Sequence, residues 1–107
     1  MGGRGRPSEN YYLKMDDQGK HYPWHRNWQP DKSPITVSPE RLQELFNKYH
    51  GTGEKVGNRE IVNFEEVIGQ IKIYETGEMQ DTIWGTIHYD EYGGYHIVPY
   101  YQQNQGG

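Results

Sequence analysis

Residues 82–101 alternate in character on both sides of a Gly93-Gly94 pair, and this alternation constrains the fold more than any other feature of the chain. A strand sends successive side chains to opposite faces, and glycines between two alternating runs make an antiparallel hairpin. With Tyr92 near its centre, Trp84 faces Tyr100, Thr86 faces Val98 and His88 faces His96. The other face carries Ile83, Ile87 and Tyr89 against Tyr95, Ile97 and Tyr101. That second face is the more apolar and is expected in the core, which leaves the first as an open surface. The two histidines are an even number of residues apart, so a one-residue error in the turn still leaves them together.

The rest of the fold is read around this hairpin. Ser38, Pro39 and Glu40 make a helix start, and Val37 can staple onto Leu42. Leu42, Leu45, Phe46 and Tyr49 recur on one helical stripe, and Gly51 supplies the stop. The spacing predicts a helix over 39–50, with His50 at its end favoured by the helix dipole. Residues 51–60 read as a loop. Strands are expected near Ile61–Phe64, Val67–Tyr74, Thr82–Tyr89 and Gly94–Tyr101, the last three as an antiparallel meander. The expected class is α+β: an irregular or helical N-terminal segment, then one main helix packed on an antiparallel sheet of about four strands. A single domain is placed at 11–101. Residues 1–10 are expected to be disordered or tag-derived, and 102–107 to be disordered.

Composition narrows the function classes. A mean hydropathy of −1.13 is low, but 14% aromatic residues can build much of a small core. The absence of cysteine excludes disulfides, a thiolate zinc site and a cysteine nucleophile. No apolar run is long enough to span a bilayer, and no signal-peptide pattern opens the chain. The net charge of −4 opposes indiscriminate nucleic-acid binding. Its distribution softens that conclusion, because Arg4, Arg6, Lys14, Lys20, Arg26 and Lys32 crowd the first third and no Lys or Arg follows Lys72.

Two histidines side by side suit acid–base work on a phosphodiester, since an imidazole titrates near neutrality. Lys20 or Arg26 would stabilise charge on the phosphate oxygens, and Trp84, Tyr100 or the Trp24/Trp28 pair would stack on bases. The same pair also reads as a solvated structural contact, and Trp84 and Tyr100 as core. The segment Lys20-His21-Tyr22-Pro23-Trp24-His25 adds two more imidazoles. A zinc site of His21, His25, His88 and His96 is an alternative, but Pro23 spoils a helical i, i+4 pair.

In chain order, the following residues resemble the polymorphic toxin type 50 domain. They are Lys20-His21 with Pro23, His25 and Asn27; Ser38-Pro39-Glu40 with Leu42, Leu45 and Tyr49; Gly51-Thr52-Gly53-Glu54; Asn58 to Asn63; Ile68-Gly69; Thr76-Gly77-Glu78; Ile87-His88-Tyr89; and His96-Ile97-Val98-Pro99. The resemblance covers roughly 18–100. It differs at Trp24, where glycine is usual, in a shorter loop before Arg59 and in a longer turn between the histidines. It implies a barnase-like fold and a ribonuclease module, carried at the C-terminus of contact-delivered bacterial toxins or attached to phage minor head proteins. On matching positions it implies His21, His88, His96 and Lys20 as catalytic. His25, Arg26, Thr86, Trp84 and Tyr100 are expected at the substrate, with no metal and no cofactor. The expected activity is a metal-independent endoribonuclease toxin, acting as a monomer on RNA such as tRNA in a target-cell cytoplasm and neutralised by a cognate immunity protein. The rivals are a catalytically silent RNA-binding or phage-head assembly module, and a metal-dependent nuclease.

Overall fold

The computed structural model describes residues 11–101, so the disorder expected at 1–10 and 102–107 lies outside the described residues, as do Arg4 and Arg6. Along the chain come β1 (Tyr12–Leu13), α1 (Met15–Gln18), a 3₁₀ turn (Gly19–His21) and α2 (Pro39–Tyr49). The strands β2 (Glu54–Val56), β3 (Arg59–Asn63), β4 (Gly69–Lys72), β5 (Met79–Thr82), β6 (Trp84–Tyr89) and β7 (Gly94–Pro99) follow. The α+β class is as expected.

Helix α2 forms where its caps dictate. Ser38 Oγ accepts from the Arg41 N–H at 3.1 Å, and Pro39 needs no partner at the first position. The helix stops one residue short of the expected 50, with His50 as its cap and Gly51 in the left-handed region at φ +89°. His50 sits at the helix end as expected, but its apolar surroundings disfavour the charge that the dipole would favour. It stacks on Phe46 at 4.5 Å, and burial lowers its pKa.

The main sheet has the order β1-β7-β6-β3-β2, with β1 parallel to β7 and the other neighbours antiparallel. The β6–β7 register pairs His88 with His96, Thr86 with Val98 and Ile87 with Ile97, as the alternation predicts. Helix α2 covers the face bearing Ile87, Tyr95 and Ile97, where Phe46 stacks on Tyr95 at 3.7 Å. Each such buried side chain contributes roughly 1.5–3 kcal/mol of transfer free energy.

Five expectations are corrected. The segment 51–60 is not all loop, because Gly57 (φ +62°) takes the first central position of a two-residue turn and lets β2 pair with β3. The last three strands are not a meander: β3, not β4, pairs with β6, and β4 pairs with β5 as a separate two-stranded hairpin. Among the described residues the sheet expected at about four strands has five, and the separate hairpin adds two. The run Thr82–Tyr89 is broken at Ile83, where the buried Thr82 hydroxyl donates to Tyr100 O and accepts from Trp84 N, turning the corner between β5 and β6. Ile83 is consequently only half-buried and Tyr101 is exposed, so neither joins the core.

Candidate active site

The register of β3, β6 and β7 defines the open face opposite α2. One row crosses Arg59, His88 and His96; the next crosses Ile61, Thr86 and Val98. Asn63 pairs with Trp84, and Tyr100 N donates to Trp84 O, which closes a third row. His88 and His96 stack with centroids 4.8 Å apart and planes 7° from parallel. His21 comes from the 3₁₀ turn outside β7 and stacks on the far side of His96 at 6.4 Å. Three imidazoles therefore form a row with His96 in the middle.

His96 is carried by β7, whose outer edge is held in two ways. Strand β1 pairs with Gly94 and Tyr95, and the buried Gln18 side chain takes the next place. Gln18 Nε2 donates to Ile97 O at 2.8 Å, and Ile97 N donates to Gln18 Oε1 at 2.6 Å. A side-chain amide thus stands in for a strand. The same turn of chain leads into His21, whose Nδ1 donates to Ser33 O at 2.8 Å. A carbonyl can only accept, so the Nδ1 nitrogen carries the hydrogen and Nε2 keeps its lone pair when the ring is neutral.

All three rings favour the neutral form. Burial lowers the pKa of His96 to about 4, helped by the neighbouring His88, while Asp17 opposes the shift. Burial, then the Arg59 charge, lowers His88, and burial lowers His21 against the pull of its Ser33 bond. Asp17 is pushed up by burial, but His96, Lys14 and Lys20 outweigh that and hold it below its ordinary value.

An imidazole with a depressed folded pKa binds protons less readily in the native state than when unfolded. Its contribution is complete above 6.5 and is lost as pH falls towards about 4. A shift this large is worth about 3 kcal/mol for a fully enclosed ring. Solvent at the half-buried His96 reduces that to on the order of 1–2 kcal/mol. Thermal unfolding of the wild type is expected to shift to lower temperature across this window. His96→Gln should flatten the dependence, and parallel curves for the two proteins would refute it.

The other expected residues divide. Lys20 stands near the row, ion-paired to Asp17 at 3.5 Å. Thr86, Trp84 and Tyr100 share the open face, the last two lining a cleft of about 530 Å³ with Asn63 and Glu54. His25 is drawn elsewhere: its Nδ1 accepts from Asn27 N at 3.0 Å, and its ring lies where a Cβ on Gly19 would stand. Arg26 is exposed on that same loop. His21 is buried, which makes it a backing group for His96 more than an open one. Sequence reasoning missed Arg59, Asp17, Gln18 and the Ser33 carbonyl. None of these had a local signal: the Gly57-Asn58 turn sets Arg59 only against Val56, and the distant β3–β6 register brings it level with His88.

No helix among the described residues is long and apolar enough to cross a membrane. No curated protein matches the chain. The family model described as Bacterial toxin 50 matches residues 13–99. An open sheet face bearing a histidine row thus lies within the matched span, and the chain belongs to the Bacterial toxin 50 family.

Proposed function

We propose that this bacterial toxin domain is an endoribonuclease that needs no metal and cleaves RNA, such as tRNA, by attack of a 2′-hydroxyl. The observation that carries the reading is the His88–His96 pair, stacked at 4.8 Å on the face opposite the helix and level with Arg59. His96 is the base. It takes the 2′-hydroxyl proton as that oxygen bonds to phosphorus, the P–O5′ bond breaks, and protonated His88 gives its proton to the departing 5′-oxygen. The product is a 2′,3′-cyclic phosphate. Arg59 beside His88, with Lys20 at the other end of the row, stabilises charge on the phosphoryl oxygens. His21 holds the far side of His96. Trp84 and Tyr100 offer stacking faces to unpaired bases.

The test is incubation of the domain with total tRNA in chelator, reading the cleavage map and the chemistry of the new ends. Persistent cleavage with cyclic phosphate ends supports the reading. Cleavage that needs added metal favours a metal-dependent nuclease. Absence of both cleavage and growth arrest favours a binding or phage-head assembly module. The pH profile adds a further check. Free-enzyme kcat/KM is lost below about 4 as His96 protonates, and lost on the alkaline side as His88, lowered from 6.5, gives up its proton. A maximum on the acid side of neutrality is expected, and a rate still rising past pH 8 would contradict these roles. A producing cell then needs a protective partner protein that covers the open face, and delivery to the target cytoplasm falls to chain beyond this domain.

A further inference from the structure

Outside the β7 edge, on the His21 side, a cleft of about 860 Å³ opens between the 30–33 loop and the β4–β5 hairpin. Ser33 lines it, and the Ser33 carbonyl is the one bonded to His21. Lys32 stands in the same wall, near enough for its charge to act on His21. Lys72 lines the opposite wall from β4, and Tyr74 and Tyr101 flank the opening. Tyr74 is 91% exposed, so folding does not explain its ring. The order of elements places His88 on β6, His96 on β7 and His21 outside β7, and the Ser33 carbonyl joins His21 to the wall of this cleft.

Two lysines beside two aromatic faces match the parts of a single-stranded nucleotide. Cations meet its phosphate and a ring stacks on its base. Asp31 and Glu75 in the same lining make a poor site for a bare anion, but they offer acceptors to the amino groups of a base.

We propose that this cleft is a subsite for a nucleotide of single-stranded RNA next to the one held at the histidine row. The inference rests on the ribonuclease reading for the path of the strand, but binding here is separable from cleavage. The probe is a fluorescent single-stranded 2′-O-methyl RNA, which lacks the attacking hydroxyl, followed by anisotropy with the full chain. Tyr74→Ala is expected to weaken binding roughly tenfold through lost stacking. Lys72→Ala is expected to flatten the slope of log K against log salt by about 0.7. Both side chains are exposed, so neither change threatens the fold. Wild type that does not bind, or variants that bind equally well with an unchanged salt slope, would overturn the subsite. If the variants lose affinity while wild type fails to cleave unmodified RNA, the subsite stands and the ribonuclease reading falls.

Discussion

His96→Ala and His88→Ala are each expected to lower RNA cleavage by about 10²–10⁴-fold, the usual worth of a positioned proton-transfer group, and to end growth arrest in expressing bacteria. The rings lie on the face away from α2, and neither belongs to the hydrophobic cluster under the helix. Truncating them should therefore leave a folded, cooperatively melting protein. The pair acts as one unit, so the double variant should lose little more than either single one. The pH profile assigns the roles: loss of the base removes the acid limb, and loss of the acid removes the alkaline limb. Arg59→Ala should depress the rate without moving either limb out of the acid range. Single-turnover rates within tenfold of wild type for both histidine variants would remove His88 and His96 as the acid and base and place the cleavage chemistry on other groups.

That pair was legible in the sequence because its information is local. The Gly93-Gly94 turn and the two alternating runs set the register within twenty residues, and an even spacing protects the shared face. Helix α2 was legible for the same reason, with Ser38, Pro39 and Gly51 marking its ends. The rest depends on distant partners. Strand β2 has three exposed residues and no alternation to reveal it. The pairing of β3 with β6 competes with the nearer β4, and nothing local decides between them. Thr82, whose hydroxyl bonds to Tyr100 O, turns the corner between β5, which pairs with β4, and β6, which pairs with β3. The His21 ring is oriented in the row by a carbonyl twelve residues away, at Ser33. Its neighbours Pro23 and Trp24 gave the sequence no period by which to place it.

The second large effect is expected at Gln18, a residue with no chemistry of its own to offer a substrate. Gln18→Met keeps the length of the side chain and removes both polar atoms. The Ile97 N–H and C=O then lose their partners at a buried edge. Each orphaned group costs about 1–3 kcal/mol, so the variant should lose about 2–5 kcal/mol. In a domain of this size that lowers Tm by more than about 10 °C. The change also loosens the turn carrying His21 from the β7 edge carrying His96, so activity should fall before global unfolding does. Gln18→Glu separates the two atoms, because its carboxylate still accepts from Ile97 N but no longer donates to Ile97 O. It should fall between wild type and Gln18→Met in the neutral range and recover on acidification as the carboxyl regains a hydrogen. If Gln18→Met melts within a degree or two of wild type, the amide does not hold this edge. The placement of His21 against His96 would then need another cause.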